Sequence, residues 1–435
     1  MGREVESVPK VKSACLEKGT GTYLHPMRRT SLDDGAALNP VGSGRGSAGM
    51  RSGSSAGSGG ASSMSSAEDE VLQHVGFNQD AGCFTVATSG GFRVFHCEPF
   101  RELFRRSFPN EGGIGHVEML FRCNILALIG GGAHPAFPAH KVMLWDDHAR
   151  GVVGELAFRH DVVGVRLRRD RVVAVLSHKV YVYNFDDLTL VTQVETIGNP
   201  TGLCCLSTAP GAIVLACPGL REGDVHVEWH APVARAITVN AHASAIVCLA
   251  LASDGTCLAT ASAAGTVVRI FDTVSGATLH ELRRGVDRAR IHSLALSPDA
   301  AWVCCCSDKG TLHIFNISGG GPAMVAAETS AGEGWEEEER SHPPSSWGVG
   351  TALGSAAKLL PKALRLQRSF AQFRMQEDVR AVACFGATDP HTLLVLAYDG
   401  SFHKIRFDPK RGGDCSRESY YKFLHCGPPR LRPST

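Results

Sequence analysis

The stretch Gly265–Asp272 reads GTVVRIFD, and versions of it recur along the chain. Gly310–Asn316 reads GTLHIFN, and Gly400–Asp408 reads GSFHKIRFD. Gly91–Phe95 (GFRVF) and Lys141–Asp146 (KVMLWD) are further versions. Each begins with a glycine or a polar residue and continues with alternating apolar residues that end at an aromatic side chain. This pattern is typical of a β-strand that follows a turn.

The spacing of these strands predicts a β-propeller. Gly265 and Gly310 lie 45 positions apart, and a WD-type blade has ~40–45 residues. Another short apolar strand precedes each version, as in Cys257–Ser262 and Trp302–Cys306. Helical periodicity is nearly absent before residue 318. We therefore predict an all-β fold, a seven-bladed WD-repeat-type β-propeller that spans residues 71–425.

The seven predicted blades begin near residues 75, 116, 162, 200, 241, 287 and 378. We expect the strand Val71–Phe77 to complete the last blade. The ring would then close between the two ends of the folded part. Closure removes the exposed strand edges that invite aggregation.

Three segments fall outside this repeat. Residues 1–68 form a tail whose second half, Gly42–Ser66, is almost wholly Gly, Ser and Ala, a composition that predicts disorder. Residues 426–435 form a short C-terminal tail. Residues 318–368 form an insertion in blade six that is far longer than an ordinary hairpin connection.

Composition limits the class of partner. The formal net charge is only +1 over 435 residues, so the chain has no global basic field of the kind that binds DNA or RNA. Its 15 cysteines show no paired metal-ligand spacing, and many lie in apolar runs such as Cys304–Cys306. We expect reduced core cysteines in a cytoplasmic protein, with disulfides as the alternative. No apolar run approaches the ~20 residues that span a bilayer, so any membrane contact is expected to be reversible and peripheral.

Catalysis is suggested only by the 19 histidines. The chain has no Gly-rich nucleotide-binding loop, no His-Glu-x-x-His motif and no nucleophile elbow. We expect no enzyme activity, no cofactor and no metal site.

The segment Leu282–Gly285, with the sequence LRRG, carries the candidate binding chemistry. It ends a predicted strand, and side chains alternate faces along a strand, so Arg283 and Arg284 should point to opposite sides. A planar guanidinium can donate two parallel hydrogen bonds to a phosphate. Gly285 permits a sharp turn after the pair. One dipeptide is therefore able to serve two separate anion pockets.

Hydroxyl and imidazole donors flank the arginine pair in both neighbouring blades. In chain order they are His242, Thr260, Ser262 and Thr266, and then Ser307, Thr311 and His313. Each of these residues alone is more often a structural strand or turn residue, and a histidine at a blade entrance is common in WD blades. The duplicated set around the arginines is what indicates a phosphorylated ligand.

The chain resembles the PROPPIN family, the phosphoinositide-binding propellers that include the WIPI proteins, over essentially all of residues 71–425. The likeness is closest to the subgroup with Leu before the two arginines. Besides LRRG it rests on the segments Met119–Leu128, Lys141–Asp147, Val165–Arg171 and Ser307–Phe315. The resemblance implies a propeller that binds phosphatidylinositol 3-phosphate and phosphatidylinositol 3,5-bisphosphate through two sites on its rim.

Carried over by position, the resemblance implies two sets of lipid-binding residues. The first site comprises His242, Thr260, Ser262, Thr266, Arg269 and Arg283. The second site comprises Arg284, Gly285, Ser307, Thr311 and His313. Members of the family act in autophagosome formation, so the resemblance also implies a scaffold that recruits autophagy machinery.

The resemblance further implies where the protein acts and what it meets. We expect a monomer, peripheral on autophagosome-precursor and endosomal or vacuolar membranes, with an autophagy lipid-transfer protein docking near blades two and three. No nucleic-acid partner is expected. The alternative is a generic WD-repeat protein-interaction scaffold without lipid specificity.

The end of the blade-six insertion resembles an interfacial membrane segment. It mixes leucines with basic residues, and the predicted contact residues are Lys358, Leu359, Leu360, Lys362, Leu364 and Arg365. The acidic run Glu336–Glu339 in the same insertion would be repelled by anionic lipid, so we exclude it from this contact. The alternative is a loop with no membrane role.

Overall fold

The computed structural model describes residues 70–109, 112–318 and 367–424. The regular elements of these ranges are β-strands, and they form seven sheets that each contain four antiparallel strands. Two of the sheets carry a fifth, shorter strand. The seven-bladed propeller predicted from the repeat spacing is confirmed, and the blades begin within a few residues of the expected positions.

The first four blades occupy the chain up to residue 240. Blade one consists of β1 (Leu72–Phe77), β2 (Cys83–Thr88), β3 (Gly91–His96) and β4 (Arg101–Ser107). Blade two consists of β5 (Ile114–Met119), β6 (Ile125–Gly130), β7 (Lys141–Asp146) and β8 (Gly151–Ala157). Blade three consists of β9 (Val162–Arg168), β10 (Arg171–Leu176), β11 (Lys179–Asn184) and β12 (Leu190–Glu195). Blade four consists of β13 (Cys205–Leu206), β14 (Ile213–Pro218), β15 (Asp224–Ala231) and β16 (Arg235–Asn240).

The last three blades include the two additional strands. Blade five consists of β17 (Ile246–Leu251), β18 (Cys257–Ser262), β19 (Val267–Asp272) and β20 (Thr278–Arg283), with β24 (Gln367–Arg368) at its edge. Blade six consists of β21 (Ile291–Leu296), β22 (Trp302–Ser307), β23 (Thr311–Asn316) and β25 (Ala371–Arg374), with β29 (Gly413–Asp414) at its edge. Blade seven consists of β26 (Ala381–Phe385), β27 (Thr392–Ala397), β28 (Ser401–Arg406) and β30 (Ser416–Lys422).

The second strand of a blade lies in the core. Both β6 and β22 are buried at every residue, because neighbouring blades cover both of their faces. These strands therefore read as continuous apolar runs, ILALIG and WVCCCS. The outer strands have one side in solvent, and β12 exposes Leu190 and Val191. The hydrophobic core consequently consists of seams between adjacent blades.

The cysteines of the described residues are free thiols. Cys304, Cys305 and Cys306 are fully buried in β22, and burial raises the pKa of the Cys306 thiol to about 12. Within the same ranges there is neither a group of three or more potential metal ligands nor a helix long and apolar enough to cross a membrane.

The ring closes differently from our expectation. β1 pairs with β2, from Leu72 opposite Thr88 to Phe77 opposite Phe84, so it is the inner strand of blade one. The prediction that Val71–Phe77 completes the last blade is therefore wrong. The apolar pattern of Val71–Phe77 suits an inner or an outer strand equally. The fourth strand of blade seven is instead β30, which pairs with β28.

Aromatic side chains pack across the seam between blade seven and blade one. The Phe84 ring is fully buried. Its centroid lies 4.8 Å from that of Phe95, 5.7 Å from that of Phe402 and 5.4 Å from that of Phe423. Side-chain packing thus joins the first blade to the last, while backbone ladders hold the strands within each blade.

Two short parallel strands link neighbouring blades at their outer edges. β24, which follows the insertion, pairs with β20 of blade five before the chain enters blade six. β29 likewise pairs with β25 of blade six before the chain returns to blade seven. The sequence pattern gave no indication of either strand.

Candidate anion-binding site on blades five and six

β20 directs consecutive side chains to different faces of blade five. Leu282 is fully buried and belongs to the apolar cluster that joins blade five to blade six. Arg283 follows it, so its side chain leaves from the opposite face, which it shares with Glu281. Arg284 returns to the face of Leu282, towards blade six. This is the divergence that the alternation of side chains along a strand predicts.

A hydrogen-bonded group links blade four to the Glu281 face of blade five. His242 Nε2 lies 2.9 Å from Thr260 Oγ1, and both residues are buried. Arg269 donates from Nη1 to the Ala241 carbonyl at 2.6 Å and from Nε to Glu281 at 2.8 Å. This face therefore looks towards blade four. Protein groups thus already engage the Arg269 guanidinium at two of its nitrogens.

The turn between β18 and β19 positions the backbone of the arginine pair. Ser262 is buried, and its carbonyl accepts the N–H of Gly265 at 2.9 Å. The Thr266 carbonyl accepts the N–H of Arg284 at 2.9 Å. Gly265 has a φ of +63°, and a Cβ at this position would lie 1.8 Å from the Ala289 carbonyl oxygen. Only glycine fits this turn.

Arg284 is more buried, and has more hydrogen bonds within the protein, than the sequence predicts. Its side chain is buried. Its Nε donates to the Gly265 carbonyl at 2.6 Å, and its Nη2 donates to the Asp287 carbonyl. The guanidinium therefore stabilises the turn after β20 in addition to any contact that it makes with a ligand.

Blade six presents polar side chains to the face that Arg284 approaches. Ser307 is 2% exposed, and its Oγ has no hydrogen-bond partner. The Nδ1 atom of His313 is also buried without a partner. Thr311 lies at the start of β23, with its Oγ1 3.5 Å from the Lys309 carbonyl. Ser307 and His313 lie on the same face of the sheet. Buried polar atoms without partners are uncommon in folded proteins, so two of them on one face make this face a candidate ligand site.

Both imidazoles of the candidate sites are neutral at pH 7. Burial is the main cause that lowers the pKa of His242 to about 4, with the charge of Arg269 as the second cause. Burial likewise lowers the pKa of His313 to about 4, with Arg284 as the second cause. The attraction for an anion therefore comes from the guanidinium groups, and the imidazoles contribute as hydrogen-bonding groups.

Arg374 is a further basic residue beside the second site that sequence reasoning missed. It ends β25 and lies opposite Thr311 in the ladder with β23, so it shares the face of His313. Arg283 occupies the same position in blade five, where it ends β20. The sequence feature that could have identified Arg374 is an arginine at the end of an outer strand, as at Arg283. The insertion separates Arg374 from the rest of its blade, so this correspondence was not apparent.

The next junction in the ring provides an internal comparison. A cleft of about 220 Å³ lies between blades six and seven and is lined by Met375, Ala397 and His403, among others. Met375 follows β25 as Arg284 follows β20, and Ala397 ends β27 as Ser307 ends β22. Apolar residues thus stand in the cleft at the positions that Arg284 and Ser307 hold in the preceding junction, while Ser401, His403 and Arg417 also line it.

Several sequence-predicted features lie outside the described ranges. These are the six membrane-contact residues from Lys358 to Arg365, the run Glu336–Glu339 and the two tails. Of the remaining predicted site residues, His242, Thr260 and Arg269 lie together beside the Glu281 face of blade five. Arg284 lies near His313 of blade six, on the side that also carries Ser307 and Thr311.

Thr260→Val is expected to lower the free energy of unfolding by about 1–2 kcal/mol, because it leaves the buried imidazole of His242 without its partner. The shift of the urea unfolding midpoint measures this loss. Thr278→Val is the matched control, since Thr278 is exposed at the start of β20. Equal midpoints for the two variants would show that the His242–Thr260 contact does not support the site.

Comparison of the sequence with known proteins identifies one family and several relatives. The family model described as PROPPIN matches residues 71–422. Autophagy-related protein 18e of Arabidopsis thaliana is 37% identical over 350 residues, which cover 79% of this chain and 86% of that protein. SVP1-like protein 2 of Pichia angusta is 33% identical over 338 residues, or 76% of this chain and 89% of that protein.

Solved structures share the fold at lower identity. Hsv2 of Kluyveromyces lactis superimposes with a TM-score of 0.61 at 19% identity and covers 81% of this chain and 99% of its own. A complex of KlAtg21 with the coiled coil of AgAtg16 gives a TM-score of 0.62 at 22% identity, with coverages of 81% and 99%.

Proposed function

Since this chain belongs to the PROPPIN family of autophagy-related β-propellers, we propose that it binds 3-phosphorylated phosphoinositides and acts as a scaffold in autophagosome formation. Its ligands are phosphatidylinositol 3-phosphate and phosphatidylinositol 3,5-bisphosphate. Two rim sites, one on each face of blade five, hold the headgroups. The protein works without catalysis or a cofactor, as a monomer that associates reversibly with the membrane.

The observation that carries this proposal is that Arg283 and Arg284 leave β20 on opposite faces, next to blades that carry hydroxyl and imidazole groups. In the second pocket, Ser307 Oγ and His313 Nδ1 are buried without partners. A phosphate with its three acceptor oxygens fits such a set of donors. His313 is neutral, so one of its ring nitrogens donates a hydrogen bond to the phosphate and the other accepts one from a hydroxyl of the inositol ring.

Two weak sites suit a reversible membrane protein. Each Lys or Arg near an anionic surface contributes about 1 kcal/mol. Joining two sites on one rigid propeller raises the overall avidity by ~10²–10⁴ when both engage lipids of the same membrane. Binding therefore depends steeply on the density of the lipid.

The protein partner belongs on blades two and three. Outer strands of these blades expose apolar side chains, namely Val152 in β8 and Leu190 and Val191 in β12. An exposed apolar edge supports the docking of another protein. The solved complex of KlAtg21 with the coiled coil of AgAtg16 is an example of a propeller of this fold that assembles with a protein. For this chain we propose an autophagy lipid-transfer protein, on autophagosome-precursor and endosomal or vacuolar membranes.

Vesicle co-sedimentation tests the lipid function. The wild-type protein is mixed with vesicles that carry phosphatidylinositol 3-phosphate, its 3,5-bisphosphate, the 4-phosphate or no phosphoinositide. We expect pelleting with the first two only. Equal pelleting with all four would contradict the proposal and favour a generic WD-repeat interaction scaffold.

A further inference from the structure

The cleft between blades six and seven contains a buried histidine nitrogen that has no hydrogen-bond partner among the described residues. His403 lines this cleft and is 8% exposed, and the nitrogen is its Nδ1 atom. The cleft has a volume of about 220 Å³, whereas one water molecule occupies about 30 Å³ in the liquid. Most buried polar atoms of folded proteins are paired. The cleft therefore has both the room and an unused hydrogen-bonding atom for a small ligand.

The neighbouring hydrogen bonds determine which proton this imidazole carries. Ser401 Oγ lies 2.5 Å from Asp399 Oδ1 and 3.1 Å from His403 Nε2. Asp399 also accepts from Lys422 Nζ at 3.0 Å, so it is an ionised carboxylate and receives the single hydroxyl proton of Ser401. Ser401 Oγ then accepts the Nε2–H of His403. Burial is the main cause that lowers the pKa of His403 to about 4, so the ring carries no second proton at pH 7 and Nδ1 is an acceptor.

An acceptor in the cleft restricts the chemistry of the occupant. The group that meets Nδ1 has to donate a hydrogen bond, which an ionised carboxylate cannot do. Met375 and Ala397 stand where the preceding junction has Arg284 and Ser307, so the apolar walls do not favour a strongly charged group either. A hydroxyl group both donates and accepts hydrogen bonds, and it carries no charge. The cleft is therefore suited to a neutral molecule that bears hydroxyl groups.

The walls of the cleft suit the C–H faces of a small ring. Apolar side chains supply one part of the lining, with Met375 and Ala397 among them. Tyr420 supplies an aromatic ring, whose centroid lies 5.0 Å from that of His403. The exposed Arg417 adds guanidinium donors for further hydroxyl oxygens. Apolar and aromatic lining around a few polar groups is typical of small-molecule sites.

We propose that the cleft between blades six and seven is a polyol-binding site, in which a ring hydroxyl donates to His403 Nδ1 and the apolar walls hold the ring carbons. The occupant is a sugar or an inositol, either free in solution or as the headgroup of a lipid. This inference goes beyond the proposed function, because the ligand needs no phosphate and neither arginine of Leu282–Gly285 takes part.

The methyl resonance of Met375 reports the occupancy of this cleft alone. The full chain, labelled with carbon-13 at its methionine methyl groups, is titrated with myo-inositol, with D-glucose or with sodium acetate, and Met375→Leu identifies the signal. We expect the signal to move with a polyol and not with acetate, which has no proton to donate. The methyl signal of Met119, buried in blade two, should stay in place. Vesicles of phosphatidylinositol, compared with vesicles of phosphatidylcholine, show whether the occupant is a lipid headgroup.

Two neighbouring tyrosines provide a matched pair of variants. Tyr420 lies opposite His403 and lines the cleft, whereas Tyr421 lies on the other face of β30 and stacks on Phe100 with a centroid distance of 4.4 Å. Their exposures are similar, at 46% and 42%. We expect Tyr420→Ser to weaken polyol binding about tenfold and Tyr421→Ser to leave it unchanged. Ala397→Leu should abolish binding, because the larger side chain fills the cleft.

Thermal melting without ligand shows whether each variant is folded, and the tyrosine pair decides the question if Ala397→Leu does not fold. A Met375 signal that moves with neither a free polyol nor phosphatidylinositol vesicles would mean that only water meets Nδ1, and the inference would be wrong. Equal affinities of Tyr420→Ser and Tyr421→Ser, or an equal response to acetate, would also overturn it. Binding to 3-phosphorylated vesicles is a separate measurement, so the proposed function stands or fails independently of these results.

Discussion

Arg283→Gln combined with Arg284→Gln is expected to abolish binding to vesicles that carry phosphatidylinositol 3-phosphate. The two substitutions remove the guanidinium group from both pockets at once. A hydrogen bond to a charged group contributes about 1.5–3 kcal/mol, so the loss exceeds about 100-fold in affinity even before the loss of avidity. Co-sedimentation over a range of lipid concentrations measures the effect.

The structural role of Arg284 requires a control for folding in this experiment. Its guanidinium donates to the Gly265 and Asp287 carbonyls, so Arg284→Gln leaves buried acceptors with fewer partners. The single variant Arg283→Gln avoids this cost and should lose one site only. Arg159→Gln, which removes an exposed arginine that follows blade two, controls for net charge. Wild-type pelleting by a double variant that melts normally would exclude the arginine pair from lipid binding.

Acidification from pH 7 to pH 4 is expected to destabilise the folded protein strongly. Burial is the main cause that lowers the pKa of His74 to about 3 and those of His242, His313 and His403 to about 4. Between these values and the ordinary pKa of 6.5, the unfolded chain binds protons that the folded protein excludes. Stability therefore rises with pH across this window and is lost as the pH falls.

The expected size of the acid effect is large. Each of these histidines contributes about 2–3 kcal/mol by pH 4, whereas a typical domain has only about 5–15 kcal/mol in total. Glu118 acts in the opposite direction, since burial raises its pKa to about 7, but it is one group against four. Circular-dichroism melts from pH 7.5 to pH 4 measure the change. His403→Gln should reduce the slope, and a flat profile down to pH 5 would contradict the assignment of buried neutral histidines.

The sequence was sufficient for those features that repeat at short range. The aromatic-terminated strands such as Gly265–Asp272 gave the number of blades and their approximate starts, because each blade must bury a similar apolar strand. Alternation along β20 gave the opposite directions of Arg283 and Arg284, because Leu282 has to face the core.

Features that depend on contacts between distant segments could not be predicted. β24 and β29 have two residues each, too few for a periodic pattern, and they form because the chain passes the edge of a neighbouring blade. Arg374 lies 63 positions from Thr311, which it faces. The burial of the Arg284 guanidinium depends on the path of the following loop. Backbone carbonyl groups, and not side chains, accept its hydrogen bonds there, so the side-chain pattern does not indicate this burial.

The way the ring closes has a consequence for how the protein is made. In a propeller whose first strand completes the last blade, that strand has to wait until the ribosome has synthesised the end of the chain. Here β1 finds its partner β2 within about ten residues, so blade one can form as soon as it has emerged. Only the packing of Phe84 against Phe402 and Phe423 awaits the C-terminal blade. We therefore expect nascent chains that end after blade four to contain protease-resistant β-structure.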